Sequence, residues 1–107
     1  MTTFNDREQA FENKFAHDQE MAFRVTARRN RLVAVWAAEQ MGLTPEETDA
    51  YAKAVVQADF EEAGDEDVVR KLLGDLVSAG VDTDETLIRT ALEEKTVEAR
   101  RQLLEAK

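Results

Sequence analysis

Between residues 66 and 79 the apolar positions Val68, Val69, Leu72, Leu73, Leu76 and Val77 recur at intervals of three and four, the spacing that gathers side chains on one wide helix face. This segment is predicted to sit at the centre of a core. Looser patterns of the same period flank it. Tyr51, Val55 and Ala58, with Val56 and Phe60 alongside, mark a second helix, and Leu87, Ile88, Ala91, Leu92, Ala99 and Leu103 mark a fourth. The breaks between them pair a helix stop with a helix start. Gly42 can close one helix in the left-handed conformation, and Thr44-Pro45-Glu46-Glu47 then supplies an N-cap hydroxyl, a first-turn proline and a capping-box glutamate. Asp65, after Gly64, can cap the third helix, with Glu66 and Asp67 against the positive end of its dipole. Gly80 precedes Asp82-Thr83-Asp84-Glu85, another cap with a glutamate three residues on. Helices are thus expected over residues 5–41, 45–62, 66–79 and 83–105. Short loops make them antiparallel neighbours, so the expectation is an all-α, up-and-down four-helix bundle.

The first helix does not match the other three. At 1.5 Å per residue it would run about 55 Å, against about 20 to 35 Å for its partners, so part of it must overhang or be mobile. Its carboxyl half, with Val25, Leu32, Val33 and Trp36, has the bulky groups to dock in the bundle. Its amino half lacks that wall, yet Phe4, Phe11 and Phe15 fall within one narrow arc. Two readings stay open. The helix bends back near Asp18 to Glu20 and buries the phenylalanines in its own bundle, or it offers them to the groove of a partner. On the second reading the segment should be mobile in the free protein.

Composition narrows the function. The 107 residues make one domain, and four Gly and one Pro are too few for a fold that reverses every ten residues. A net charge of −9 argues against nucleic acid, whose phosphates demand a Lys/Arg excess. A protein partner is expected instead. With no cysteine, disulfides, thiolate metal sites and cysteine nucleophiles are excluded. The start has no apolar signal run, and no stretch approaches the roughly 18 apolar residues of a membrane span, so the expected address is the cytoplasm.

Candidate chemistry is sparse. Arg24, Arg28, Arg29 and Arg31 form the one basic cluster. Helical spacing puts Arg24, Arg28 and Arg31 on an outer face and turns Arg29 toward the apolar side. Ion pairing, with Glu20 to Arg24 at i, i+4, is one reading; an anion site for a phosphate group, suited to the planar guanidinium fork, is the other. The acidic run around Gly64 resembles a calcium loop until the ligand register is counted. With Asp59 as position one, Ala63 falls at five and Arg70 at twelve, where oxygen ligands belong. His17 is the lone histidine, without the Glu-x-x-His pairing of a di-iron bundle, and reads as a surface residue. Phosphate loops, dinucleotide fingerprints and nucleophile elbows are absent. Trp36 and Tyr51 read as core residues. Neither a metal nor a required cofactor is expected, and the chain does not read as an enzyme.

Several segments, Phe4-Asn5-Asp6-Arg7-Glu8, Phe11-Glu12-Asn13-Lys14-Phe15-Ala16-His17-Asp18, Ala27-Arg28-Arg29-Asn30, Trp36-Ala37-Ala38-Glu39 and Ala58-Asp59-Phe60-Glu61-Glu62, resemble the zeta subunit of the alphaproteobacterial F-type ATP synthase from end to end. Ala63 stands where that family often has proline, which bears on one loop. The resemblance implies a four-helix bundle, residues 20–107, whose amino-terminal segment, residues 1–19, inserts between subunits of the catalytic head and blocks ATP hydrolysis. Carried over, Phe4, Asp6, Arg7, Glu8, Phe11, Lys14 and Phe15 belong to the inhibitory segment. The implied partners are the alpha, beta and gamma subunits of the head, met by a chain that is monomeric when free and peripheral at the inner membrane. It also implies weak ADP or ATP binding, for which Arg28 and Arg29 are the candidate phosphate contacts. The rival expectation is a small nucleotide-sensing domain or a structural adaptor.

Overall fold

A computed structural model of the chain describes residues 3–61 and 64–105, with side chains described at 18–59 and 64–105. Four helices succeed one another, α1 (Thr3–Met41), α2 (Pro45–Glu61), α3 (Glu66–Ser78) and α4 (Glu85–Glu105). They form the expected bundle. α1 packs against all three others, most extensively against α2 and α4, and α3 closes the bundle between those two. Ala63 lies outside the described residues.

The helix ends show why the chain breaks where it does. After α1, Gly42 takes φ +74°, its N–H donates to the Glu39 carbonyl at 3.2 Å, and the Leu43 N–H reaches back to Ala38 at 3.0 Å. That paired closure satisfies carbonyls the helix would otherwise leave bare. Gly80 repeats it after α3 with φ +83°, and the Val81 N–H donates to the Leu76 carbonyl at 2.9 Å. Val81 then packs on the core beside Leu76, fixing the direction of the next loop. At the start of α2 the capping box is reciprocal: the Glu47 N–H donates to Thr44 Oγ1 at 3.2 Å, and the Thr44 N–H donates to Glu47 Oε1 at 2.9 Å. Two expectations about caps need correction. The fourth helix starts at Glu85, because the carboxylate that accepts the Leu87 N–H, at 2.8 Å, is that of Asp84. Asp65 occupies the capping position of α3 but makes no side-chain cap bond; its carboxylate is held by Arg29.

The core is built from α3 as expected, with Val68, Val69, Leu72 and Leu76 buried, but its wall on α1 is smaller than the pattern suggested. Ala34, Ala37 and Ala38 are wholly buried with Val33, and Ala52 of α2 joins Val55. Alanine at these contacts lets the axes approach closely, which is how one helix can serve three neighbours. Two predicted core residues face solvent instead, Val77 at 57% and Leu87 at 53% exposure. Each stands at the edge of an apolar arc wider than its neighbours cover. The six apolar positions of α3 span about half its circumference at about 100° per residue, and Val77 lies at one extreme.

Length separates α1 from the rest. The molecule measures 65 × 26 × 21 Å, whereas α4, the longest of the other helices at 21 residues, is only about 32 Å long. α1 runs without a break through Asp18 to Glu20, so it does not turn back there. The first buried side chain along its described part is Val25. Asp18, Gln19, Glu20, Ala22, Phe23 and Arg24 are exposed and Met21 is half-buried.

Because an added Cβ at Gly42 or Gly80 would meet nothing within 4 Å, Ala there is penalised through the backbone alone, by about 1 kcal/mol. Gly42→Ala and Gly80→Ala should each lower the melting temperature by about 4 °C, and Leu72→Ala, which opens a core void, should cost about 3 kcal/mol. Thermal unfolding followed by circular dichroism measures all three.

Candidate partner-binding surface

The predicted inhibitory residues Phe4, Asp6, Arg7, Glu8, Phe11, Lys14 and Phe15, and His17, have side chains outside those described. Their backbone belongs to α1, so the geometry of the site begins where that helix enters the bundle.

There the arginine cluster divides as helical spacing suggested. Arg29 turns inward, and its side chain keeps only 9% exposure. Nη2 donates to Asp65 Oδ1 at 2.9 Å, and Nε and Nη2 donate to Asn30 Oδ1 at 3.1 and 2.8 Å. A guanidinium in apolar surroundings must be paired, which is why Asp65 serves the cation and leaves the α3 cap. Arg24, Arg28 and Arg31 stay outside. Arg24 binds Glu20 at 2.6 Å, the predicted i, i+4 pair. Arg31 reaches Asp49 of α2 at 3.2 Å, and Lys53 reaches the same carboxylate at 3.3 Å. Arg28 donates to the Gln102 amide oxygen at 3.3 Å and meets no carboxylate among the described residues. The two candidate phosphate contacts therefore have different surroundings: Arg29 sits against the turn before α3, Arg28 on the open surface.

Around Arg28 a groove of about 530 Å³ opens between α1, α2 and the end of α4. Its apolar lining is Phe23, Ala27, Val56 and Leu103, beside the guanidiniums of Arg24, Arg28 and Arg31. It continues past Arg31 and Val56 into a second hollow of about 360 Å³ reaching Lys53 and Gln57. Sequence reasoning missed this trough. Phe23 was the available signal, an aromatic on a part of α1 with no bulky apolar neighbour at helical spacing.

Elsewhere the polar contacts fasten helices together. Tyr51 donates its hydroxyl to Asp75 Oδ2 at 2.8 Å, Lys71 reaches that same oxygen at 3.2 Å and lies 5.3 Å from the Tyr51 ring centre. Burial and then the Asp75 carboxylate push the phenol pKa far above its usual value, so it stays a donor. Arg89 bridges Glu66 of α3 and Glu85 at 2.9 and 2.7 Å. Among the described residues no cluster of His, Asp or Glu could hold a metal ion, and no helix is long and apolar enough to cross a membrane.

A four-helix bundle with one helix longer than the bundle requires, and with its open grooves on the outside, is the architecture of a binding module. The chain belongs to the ATPase inhibitor subunit zeta family, whose model matches residues 1–102. It is thereby assigned to a family of ATP synthase inhibitors, regulatory in role. The chain is also similar to a protein whose structure was solved in solution by NMR, at 45% identity and a TM-score of 0.72, over 81% of this chain and 99% of that one. No curated protein matches it.

Acid sensitivity follows from two carboxylates. The backbone and hydroxyl bonds from Thr44 hold Glu47 below its ordinary 4.5, and Lys53, then Arg31, hold Asp49 below its ordinary 3.8. Both folded values lie under the unfolded ones, so the unfolded chain binds more protons in acid and stability falls with pH there. That stability is complete above about pH 5 and drains as pH drops through the folded values. Urea midpoints across pH 2 to 7 should fall on the acid side, and less steeply in Glu47→Gln/Asp49→Asn, where the amide oxygen introduced at position 47 still accepts the Thr44 N–H.

Proposed function

We propose that the chain stops ATP hydrolysis by inserting the amino-terminal part of α1, residues 1 to about 19, into the catalytic head of the F-type ATP synthase, while residues 20–107 hold the bundle against its surface. The observation that carries this reading is the mismatch on α1. The helix begins at Thr3, and along its described side chains, which start at Asp18, the bundle first covers it at about Met21 to Val25. About 27 Å of helix precedes that cover, and the family match begins at residue 1.

Register supports a continuous wedge. Phe11 and Phe15 precede Arg29 and Val33 by eighteen residues each, about five turns, so the aromatic stripe repeats the phase of the core-facing side of α1. The face that the bundle buries downstream, a partner would bury upstream. Fully burying one phenylalanine contributes roughly 1.5 to 3 kcal/mol, and a segment already helical loses less freedom on docking. Asp6, Arg7, Glu8 and Lys14 would then fix orientation. Insertion between alpha and beta subunits, within reach of gamma, would hold one closed state of an enzyme that needs several. The chain would make and break no bond itself, would be a monomer before docking, and would act on the cytoplasmic side where the head lies.

Hydrolysis by the ATPase depleted of this subunit tests the reading. The full chain should inhibit, and a version starting at Met21 should inhibit little. Phe11→Ala and Phe15→Ala, each removing about 2 kcal/mol of burial, should raise the half-inhibiting concentration roughly thirty-fold. Equal inhibition by the truncated chain would move the active surface to the bundle.

A further inference from the structure

The basic trough on α1 and α2 is the exception on a chain of net charge −9. Four cations, Arg24, Arg28, Arg31 and Lys53, line it. Among the described residues Glu20 and Asp49 are the carboxylates that answer them, and Arg28 has only the neutral Gln102 amide. Between the cations runs hydrocarbon, from Leu103 and Phe23 to Ala27 and Val56, with Phe23 57% exposed. From Phe23 to Arg31 the trough runs along α1 for about 12 Å, the span of two turns of a docked helix.

We infer that this trough is a second docking surface, which seats an acidic amphipathic helix of the ATPase head beside the point where α1 leaves the bundle. Charge complementarity selects that occupant. The floor would take apolar side chains at i, i+3 or i+4, and i+7, and carboxylates along the same helix would meet Arg28 and the two cations that share Asp49. An elongated lining of hydrocarbon between cations suits an amphipathic helix better than a compact anion. Continuity selects the place: α1 contributes both the trough and the inserted segment, so one partner surface reaches both. The inference rests on the inhibitor reading above but concerns different residues. Its electrostatic share falls as salt rises, since these cations are exposed.

The chain has no cysteine, so Gln57→Cys, at the exposed end of the trough, gives a single attachment point for a benzophenone maleimide. The labelled full-length chain is irradiated with the ATPase depleted of this subunit, the adduct is mapped by mass spectrometry, and ATP hydrolysis is read in the same samples. The expected result is a cross-link to an acidic helical segment of the head, reduced at least about ten-fold in Arg28→Glu/Lys53→Glu with helicity unchanged by circular dichroism. A second pair, Arg28→Gln/Lys53→Gln, should give an intermediate reduction. No cross-link, a cross-link to a neutral or basic segment, equal yield in the reversed variant, or loss of the cross-link on adding ATP, which would make the trough a nucleotide site, would each overturn the proposal. Inhibition that persists without the cross-link leaves the inserted segment intact and removes the trough. A cross-link without inhibition does the reverse.

Discussion

Among the described residues the backbones of α2 and α4 stay more than 8 Å apart at every Cα pair; α1 and α3 each lie against both. α1 must therefore present packing surfaces to three helices at once, and that demand fixes much of what its carboxyl half contains. A helix flanked on several sides cannot carry large side chains all round without forcing its neighbours apart. The buried Ala34, Ala37 and Ala38 meet the constraint, with Val33 and the half-buried Trp36 filling what the alanines leave open. α3, only 13 residues long, closes the remaining gap with its leucines.

The same crowding explains the buried polar pair at residues 29 and 30. Asn30 is 1% exposed, and its Nδ2 has no partner among the described residues, while its carbonyl oxygen accepts twice from Arg29. A buried cation of this kind adds little net stability, because desolvation offsets the attraction. Removing Asp65, in contrast, would strand the guanidinium. The pair ties α1 to the α2–α3 turn with a geometry an apolar contact would not impose, and it sets where α3 begins.

Much of the fold was legible because punctuation and periodicity agreed. Gly42 with Thr44-Pro45-Glu46-Glu47 placed one boundary to the residue, and Val68, Leu72 and Leu76 gave the core face of α3. Errors arose where a residue had two possible uses. Asp65 can cap a helix or neutralise Arg29, and only the fold shows the guanidinium that wins. Asp82 and Asp84 both precede an acidic turn, and spacing does not choose between them. Alanine contacts were missed because a methyl group carries a weak periodic signal, although it permits the closest approach. The excess length of α1 was legible from its uninterrupted span, whereas the aromatic stripe at Phe4, Phe11 and Phe15 lies outside the described side chains. The trough was not, because Phe23, Val56 and Leu103 come from three helices whose mutual placement no local pattern encodes.

A single α-helix is about 10–12 Å across, whereas the bundle is 26 × 21 Å in section. A cleft just wide enough for one helix is too narrow for the bundle behind it. On the insertion proposed above, the shoulder formed by α2 and α4 would be a depth stop, and the residues between Thr3 and Met21 would act as a ruler. Penetration would be set by counting residues along a rod, independently of how tightly any one of them is gripped.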